Sequence, residues 1–344
     1  MKEIETKDAV GHVLCHDITQ IVKDKIKGVV FKKGHVVREE DINVLLSLGK
    51  EHLYVWEKKE GMLHENEAVQ ILRDICKNEY MDESEVKEGK IEISASIDGL
   101  LKIDTKKLKS INSLGEMMIA TRHNNIPIKK GDKLAGTRII PLVIETEKME
   151  IAKILAGEEP ILCIKPYVHK KAGIVTTGSE IFKGRIKDTF GPVVKEKIEE
   201  FNVEVIGQTI VDDGSENITK AIMEFIDKGA DMVLCTGGMS VDPDDKTPGA
   251  IKNTGADIVT YGLPVLPGAM MLCSYYKKDD KTISIIGLPG CVMYAKRTIF
   301  DLLLPRIMAD EIITKDDLSS LGLGGLCLNC KICTYPNCGF GKAQ

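Results

Sequence analysis

The sequence lacks an apolar run long enough to cross a bilayer, and Met1–Lys7 carries charged residues where a signal peptide would be apolar. It also lacks the excess of positive charge that a nucleic-acid-binding face requires, because the formal net charge is -5 at pH 7. We therefore expect a cytoplasmic protein whose main partners are neither nucleic acid nor membrane. In such a protein the 10 cysteines are expected to be thiols or metal ligands rather than disulfides.

The length of 344 residues exceeds one average domain, and a hydrophobic content of 43% is enough for ordinary buried cores. We predict a small β-α-β domain over 1–60, an irregular α+β domain over 61–168, an α/β domain over 169–310 and a flexible Cys-rich tail over 311–344. The predicted fold class is α/β, a three-layer, mostly parallel doubly wound sheet preceded by smaller α+β or β-rich domains.

Short apolar runs predict the elements of the first half of the chain. Val10–Leu14 and Gly28–Phe31 are typical of strands, and Glu39–Leu48 has one apolar helical face that ends before a glycine. In the middle segment, apolar residues at helical spacing over Ala68–Cys76 predict an amphipathic helix. The Asp98-Gly99 pair predicts a hairpin turn between two strands.

In the α/β segment, helices and apolar strands alternate as a doubly wound sheet requires. We predict helices over 191–201, 217–228 and 292–308, and strands over 203–206 and 282–287.

Two loops in this segment carry the chemistry. One spans Thr177–Asp188 and the other Thr236–Pro248; each follows a β-branched apolar run and leads into a helix. Both loops should therefore lie at the carboxyl edge of the parallel sheet, where α/β proteins bind ligands.

The second loop combines an anion cradle with carboxylates. Gly237 and Gly238 allow a sharp turn that exposes backbone N–H groups, and Thr247 is expected to cap the following helix. The cradle also contains three aspartates, which would repel a phosphate unless a divalent cation bridges them; they are Asp242, Asp244 and Asp245. The sequence thus predicts a metal-assisted reaction on a phosphorylated or oxyanionic ligand.

Five motifs in order resemble the molybdopterin-binding domain shared by molybdopterin adenylyltransferases and molybdopterin molybdotransferases. They are Thr177–Glu180, Asp188 before Gly191-Pro192, Thr236–Gly238, Asp245 before Thr247-Pro248, and Gly287–Gly290. The resemblance covers about 135 residues, which makes it more specific than a lone glycine pattern. It implies a homodimer and an enzyme of molybdenum cofactor biosynthesis.

The resemblance also implies roles for individual residues. Asp245 corresponds to an essential aspartate and Asp188 to one across the pocket from it, and we expect these two to be the catalytic residues. In the mechanism that we expect, Asp245 with Asp244 or Asp188 nearby holds a Mg²⁺ ion. The residues that correspond to the cofactor-binding set are Thr177, Gly178, Ser179, Glu180, Thr236, Gly237, Gly238, Ser240, Pro289 and Gly290.

The C-terminal segment contains four cysteines within twelve residues. Cys327, Cys330, Cys333 and Cys338 follow a glycine-rich lead, and this spacing allows thiolates to converge on one centre. A [4Fe-4S] cluster and a structural Zn²⁺ ion are both compatible with the spacing, and a redox-labile thiol cluster is the remaining alternative.

The leading hypothesis is a molybdopterin molybdotransferase-like transferase that inserts molybdate into adenylylated molybdopterin and releases AMP. Its ligand would be molybdopterin or its adenylylated form, and a molybdoenzyme is a candidate target. The Cys tail replaces the small β-barrel usual in molybdotransferases, and Asp244-Asp245-x-Thr247 resembles nucleotide pyrophosphatases of the competence-damage type. The alternatives are therefore a cofactor-binding carrier for a molybdoenzyme and a Mg²⁺-dependent nucleotide pyrophosphatase.

Overall fold

The chain divides into two compact units. The computed structural model describes residues 2–22, 26–55, 60–168 and 170–342. The first unit comprises Met1–Ser94, Asp104–Arg122 and Lys133–Leu162, and the second comprises Ala95–Ile103, His123–Asp132 and Cys163–Gln344. The division into four segments made from the sequence stays a prediction.

The first half of the chain consists of short strands and helices. The strands are β1 Lys2–Glu5, β2 Ile18–Val22, β3 Ile26–Phe31, β4 His52–Val55, β5 Met62–His64, β6 Met81–Glu83, β7 Lys90–Ala95, β8 Gly99–Ile103, β9 Met117–Thr121, β10 Ile126–Ile128, β11 Lys133–Ile139, β12 Val143–Glu145 and β13 Leu162–Pro166. The helices are α1 Asp41–Ser47, α2 Glu65–Cys76, α3 Thr105–Asn112 and α4 Thr146–Ala156, with a 3-10 turn at Thr6–Asp8.

Small antiparallel sheets dominate the first unit. β1 pairs with β4, β2 with β3, and β5 with β12, while β6, β7, β11 and β9 form a four-stranded sheet in that order. The predicted helix over Glu39–Leu48 is confirmed in shorter form as α1. The strand predicted at Val10–Leu14 is wrong, because this stretch makes only isolated bridges at Val13 and Leu14.

The predicted hairpin at Asp98 is also wrong. β7 pairs with β6 and β11, whereas β8 pairs with β10 and β13 in a separate three-stranded sheet. The Asp98 carboxylate accepts a hydrogen bond from the Lys130 N–H at 2.7 Å instead of closing a two-residue turn. The Asp98 side chain therefore stabilises a contact with a residue distant in the chain, Lys130, and not a local turn.

A buried histidine begins α2. His64 is 2% exposed, and its Nδ1 accepts the Asn66 N–H at 3.1 Å while Nε2 lies 3.0 Å from the carbonyl oxygen of Cys15. Lys33 Nζ also lies 3.0 Å from Nδ1. Burial lowers the pKa of His64, and the charge of Lys33 lowers it further.

The second unit carries the larger sheet. Its remaining elements are β14 Lys171–Thr177, α5 Ser179–Phe182, α6 Phe190–Glu199, β15 Glu204–Val211, α7 Ser215–Asp227, β16 Met232–Thr236, α8 Thr247–Asn253, β17 Asp257–Tyr261, β18 Leu272–Lys278, β19 Lys281–Leu288, α9 Ile299–Met308 and α10 Lys315–Ser320, with a 3-10 turn at Gly290–Met293. The sheet order is β15-β14-β16-β19-β18-β17. The first four strands are parallel and the last two antiparallel.

Helices cover both faces of this sheet. On one face α6 and α9 contribute Val194, Ile198 and Phe300 to a buried apolar cluster, and on the other α7 and α8 contribute Phe225 and Ile251. The predicted three-layer, mostly parallel doubly wound fold is therefore confirmed. Within the described residues, every helix is too short or too polar to span a bilayer.

A buried carboxylate ties the small sheet of β10, β8 and β13 to the rest of the second unit. Glu311 accepts hydrogen bonds from Lys165 Nζ at 2.9 Å, Lys102 Nζ at 3.2 Å and Arg306 Nε at 2.9 Å. Burial alone would raise the pKa of Glu311, but these three cations lower it to about 2. Residues 95–103 are thus an integral part of the second unit.

The helix predicted over 292–308 begins later, at Ile299. Thr298 caps it, since its hydroxyl accepts the Phe300 N–H at 3.2 Å and the Asp301 carboxylate accepts the Thr298 N–H at 2.7 Å. Asp301 also binds Lys197 Nζ at 2.8 Å and Arg297 at 2.9 Å, in a place where its side chain is 4% exposed. The Asp301 carboxylate therefore helps to cap the start of α9 and also pairs with two cations, Lys197 and Arg297.

We expect Asp301→Ala to destabilise the second unit by about 3–5 kcal/mol, because it leaves the buried Lys197 ammonium without its partner. The matched control is Asp227→Ala, which removes an exposed ion pair to Lys278 and should cost less than about 1 kcal/mol. Urea denaturation of both variants measures the difference. Equal losses would contradict a structural role for the buried pair.

Acidification should destabilise the region around α2 through His64. Because its folded pKa lies below the unfolded value, the unfolded state binds more protons as pH falls through that window, and stability is lost. The pKa of Glu65 is raised by burial, and this carboxyl acts in the opposite direction. The comparison is therefore made with His64→Gln, whose loss of stability between pH 7.5 and 5.5 should be smaller than that of the wild type, because glutamine does not titrate. Hydrogen exchange of residues 60–76 measures it, and an identical pH dependence in both proteins would refute the assignment.

Candidate functional site

The topology of the large sheet creates a crevice at its carboxyl edge. β14 lies between β15 and β16, so the connections that leave β14 and β16 diverge to opposite sides of the sheet. In open parallel sheets, ligands bind at such a switch point. The loops after Thr177 and Thr236 begin at this edge, as the sequence predicts.

The loop after β16 depends on two glycines with left-handed backbone. Gly237 has φ 86° and Gly238 has φ 57°. A Cβ on Gly237 would lie 2.3 Å from the carbonyl oxygen of Thr177, and one on Gly238 would lie 2.8 Å from Thr247 Oγ1. A side chain at Gly237 would push the end of β14 away, and one at Gly238 would displace the Thr247 hydroxyl; the left-handed backbone disfavours a side chain at both positions.

Threonine hydroxyls behind this loop hold it in place. Thr247 Oγ1 donates to the Gly237 carbonyl at 2.8 Å, and Thr177 Oγ1 lies 3.3 Å from Thr247 Oγ1. Thr236 Oγ1 donates to Thr176 Oγ1 at 3.3 Å. Thr177 and Thr236 are therefore placed where they support the loop from within the buried edge.

The expected cap by Thr247 is wrong. α8 starts at Thr247 itself, Lys246 precedes it, and the cap makes no side-chain hydrogen bond. The hydroxyl of Thr247 faces back to Gly237 because the tight glycine loop brings that carbonyl within reach. Thr247 thus joins the loop to the helix instead of capping it.

A pocket of about 620 Å³ opens beside this loop. Its lining residues are Phe190, Gly237, Gly238, Met239, Ser240, Asp242, Asp245, Leu266, Pro267, Gly268, Ala269, Met270, Pro289, Gly290 and Cys291. Six of the residues predicted for the site are among them: Gly237, Gly238, Ser240, Asp245, Pro289 and Gly290. Those that are not in the lining are Thr177, Gly178, Ser179, Glu180, Asp188, Thr236 and Asp244.

Two carboxylates belong to the pocket. The Asp245 N–H donates to the Asp242 carbonyl at 2.9 Å, and the Asp242 N–H lies 3.4 Å from Asp245 Oδ2. The two residues therefore face each other across one turn. Asp244 lies outside the lining, although it is exposed as Asp242 is. The lining contains no lysine, arginine or histidine.

This donor set is compatible with Mg²⁺. Within the described ranges, no group of three or more His, Cys, Asp or Glu side chains is arranged to hold a metal ion. Mg²⁺ in phosphate-handling sites uses one or two carboxylates together with waters and the phosphates of the substrate. Asp242 and Asp245 supply that number of ligands.

Asp188 makes internal contacts at the start of α6. Its Oδ1 accepts the Phe190 N–H at 2.9 Å, and its Oδ2 accepts Gln208 Nε2 at 2.6 Å. A Cβ on Gly191 would lie 2.3 Å from Gln208 Nε2 and 2.5 Å from Asp188 Oδ2, so a side chain there would displace the hydrogen-bonded ends of Gln208 and Asp188. The arrangement orients the first turn of α6, which carries the pocket residue Phe190.

The segment after β14 forms a separate feature. Gly178 has φ 143°, and Ser179 and Glu180 lie in the short α5. Asp213 holds this turn by accepting the Ser179 N–H at 2.8 Å.

One wall of the pocket, Leu266–Met270, was not predicted from the sequence. A proline and glycine pair there precedes an apolar strand, β18, whereas Gly287–Gly290 comes at the end of one, β19. Gly268 needs to be glycine, since a Cβ would lie 2.3 Å from Ile299 Cγ2.

Tyr261, which supports the glycine loop from outside the pocket lining, was also not predicted. Its hydroxyl donates to the carbonyl oxygens of Met239 at 2.9 Å and Ser240 at 3.3 Å. Burial raises the pKa of Tyr261, and the charge of Asp245 raises it further, so the phenol stays a donor.

The four cysteines of the C-terminal segment lie in irregular chain and form no disulfide. Cys330 and Cys333 are exposed, whereas Cys327 and Cys338 are half-buried. These four residues are all within the described part of the chain, and their side chains do not converge as a ready metal site.

Comparison with known proteins places the pocket in a recognised domain. Residues 173–309 match the family model described as "Probable molybdopterin binding domain", and residues 3–57 match a domain of unknown function. A CinA-like protein of Mycobacterium avium is 35% identical over 80 residues, which cover 23% of this chain and 18% of the relative. The chain thus matches less than a fifth of the length of that relative.

Two solved structures from Pyrococcus furiosus are also similar. The tungsten cofactor synthesizing protein MoaB is 23% identical with a TM-score of 0.32, over 36% of this chain and 84% of that one. A molybdenum cofactor biosynthesis protein is 15% identical with a TM-score of 0.27, over 92% of this chain and 66% of that one.

The matched residues contain both glycine loops, both pocket carboxylates, five complete strands of the large sheet and most of β14. Residues 173–309 of this chain accordingly form a domain that matches the molybdopterin-binding domain family.

Proposed function

We propose that the protein acts in molybdenum cofactor biosynthesis, where it inserts molybdate into adenylylated molybdopterin with release of AMP. The observation that carries this proposal is the pocket of the matched domain, in which two glycine loops and two carboxylates meet. This combination suits a ligand with both a ring system and phosphates.

One part of the pocket lining is apolar, and another part can bind an anion. Phe190, Met239 and Pro289 offer apolar surface to a flat pterin, and the loop at Gly237–Gly238 offers backbone N–H groups to an anion. A ligand of this class would place its pterin against the walls and its phosphates at the glycine loop.

The charge balance favours a divalent cation in the complex. A phosphate beside Asp242 and Asp245 is repelled, and the lining offers no cationic side chain in compensation. When bound, Mg²⁺ neutralises part of the negative charge that develops on the phosphates. Asp242 and Asp245 are the residues that would hold it, and the turn that they share fixes their separation.

In the reaction, the oxygen of a water molecule would form a bond to a phosphorus of the pyrophosphate while the phosphoanhydride bond breaks, so that AMP leaves and the pterin keeps its own phosphate. Asp245 would position this water or help to hold Mg²⁺, and backbone N–H groups of the glycine loop would stabilise the negative charge. Asp188 is a positioning residue, because it holds the first turn of α6 and so orients the pocket residue Phe190. Tyr261 keeps the Met239–Ser240 carbonyls turned away from the anion.

A homodimer and a molybdoenzyme target complete the proposal. The first-unit segments would close the site of a partner chain, as the resemblance to molybdotransferases implies. Analytical ultracentrifugation tests the dimer.

A carrier function is a second candidate. It is favoured by the hydrogen bonds between the Cys-rich segment and the pocket wall, where the Leu266 N–H donates to the Gly325 carbonyl at 2.8 Å. A protein that binds finished cofactor would use that segment to dock on a molybdoenzyme.

A Mg²⁺-dependent nucleotide pyrophosphatase is the third candidate, supported by the local match to a CinA-like protein. Cleavage of a dinucleotide such as ADP-ribose in the absence of any pterin would favour it over the other two.

Asp245→Asn should lower molybdate-dependent AMP release by about 100-fold, since the carboxylate is replaced by a neutral amide of the same shape. The control is Asp279→Asn, in the turn between β18 and β19 at the opposite edge of the sheet. AMP release from adenylylated molybdopterin, with and without molybdate, measures both. An unchanged rate of AMP release in Asp245→Asn would contradict the proposed transferase mechanism. Tight binding of the pterin by the wild-type protein without AMP release would favour the carrier function.

Gly237→Ala should weaken pterin binding by about 100-fold, because the added methyl group meets the Thr177 carbonyl and the left-handed backbone is strained. Gly249→Ala is the control, since a Cβ there meets nothing within 4 Å. Isothermal titration with molybdopterin compares the two. Equal affinities would show that the ligand does not use the glycine loop.

A further inference from the structure

The Cys-rich segment is a loop whose two ends are joined. The Gly341 N–H donates to the Gly324 carbonyl at 2.9 Å. At Gly324 a Cβ would lie 3.0 Å from the carbonyl oxygen of Gly339, so the two ends are also in close contact. We call residues 325–340 the cysteine loop. Because its ends meet, its four thiols are confined to one small region of the surface.

The hydrophobic core of the second unit anchors this loop. Phe340 is 4% exposed within the apolar cluster under α9. The Tyr335 hydroxyl donates to the Asp301 carbonyl at 2.8 Å. Cys327 and Cys338, which are 11 positions apart in the chain, pack against the same cluster. The first and last thiols of the motif therefore share one support.

The remaining two thiols lie on the outer part of the loop. Cys330 and Cys333 are exposed, and so are their apolar neighbours Leu328 and Ile332, which are 79% and 81% exposed. Burial of these exposed apolar side chains would lower the free energy of the cysteine loop. If Cys330 and Cys333 turned inward toward Cys327 and Cys338, the loop would become more compact.

Cations surround the loop. Lys296 Nζ donates to the carbonyl oxygens of Cys330 at 3.4 Å and Lys331 at 2.7 Å. Arg297 lies 5.1 Å and Lys342 Nζ 5.6 Å from the centre of the Tyr335 ring. Four thiolates carry more negative charge than a divalent metal cancels, and nearby cations stabilise the excess.

The loop is also joined to the candidate pocket. The Leu266 N–H donates to Gly325 O and the Cys327 N–H donates to Leu266 O, both at 2.8 Å, so that Leu266 and Leu326 form a parallel bridge. Leu266 is a lining residue of the pocket. The first cysteine of the motif is thus one hydrogen bond away from the pocket wall.

We propose that Cys327, Cys330, Cys333 and Cys338 bind one thiolate-ligated metal centre, and that this centre fixes the bridge that supports the pocket wall at Leu266. The centre is structural: it takes no part in bond making, and its ligands are the four thiolates alone. A tetrahedral zinc ion and an iron–sulfur cluster share this ligand chemistry. The proposal does not depend on the reaction carried out in the pocket.

The experiment uses the full chain purified anaerobically. Zinc, iron and acid-labile sulfide per chain are measured in the wild type, in Cys330→Ser and in Cys333→Ser. Cys163→Ser, a half-buried cysteine outside the loop, is the matched control. Circular dichroism confirms that each variant is folded, and a wild-type sample stripped by chelator and then reloaded with zinc or with iron and sulfide serves where a variant fails to fold.

We expect about one metal centre per chain in the wild type and the control, and near zero in the two loop variants. Zinc without sulfide would identify the tetrahedral ion, and iron with sulfide the cluster. Hydrogen exchange of residues 262–270 should become at least several-fold faster when the centre is lost. No bound metal after either reloading, or metal retained in the loop variants, would overturn the metal site; metal loss with unchanged exchange at 262–270 would overturn its link to the pocket wall.

Discussion

The close approach of Gly237 to the Thr177 carbonyl is the contact on which the candidate site depends. It brings the ends of β14 and β16 together so closely that no Cβ fits between them. Because the loop cannot relax outward, its carbonyls turn toward Thr247 and Tyr261, and its remaining backbone faces the pocket. The site is therefore shaped by the absence of a side chain at least as much as by the side chains that line it.

Several carboxylates of the second unit act on architecture. Asp301 organises the start of α9 with Lys197 and Arg297, and Asp188 organises the start of α6 with Gln208. By contrast, Asp242 and Asp245 hydrogen-bond to each other across one turn. In the described part of the chain, the Asp301 and Asp188 carboxylates each accept several hydrogen bonds, whereas the Asp245 carboxylate accepts one at 3.4 Å, so Asp245 remains more available to a ligand.

The larger sheet could be read from the sequence because apolar strands alternate with amphipathic helices, and each glycine motif falls at a strand end. Asp245 and the glycine loop were likewise predictable, since motif and topology point to the same edge. The pocket wall at Leu266–Met270 and the hydrogen bonds from Tyr261 to the glycine loop could not be predicted, because both depend on contacts between segments distant in the chain. The hairpin at Asp98 failed for the same reason: a strong local turn signal was overridden by pairing of β8 with β10 and β13.

That pairing has a consequence for how the chain is synthesised. β8 and β10 leave the ribosome early, yet β13 and Glu311, which neutralises Lys102, follow later. During translation, β8 and β10 can pair with each other, but β8 must wait for β13 until nearly half of the polypeptide has been made, and Lys102 must wait for Glu311 until about nine tenths of it has been made. Such a delay exposes strand edges to other nascent chains, so the level of holdase chaperones is expected to limit the yield of this protein in a heterologous host.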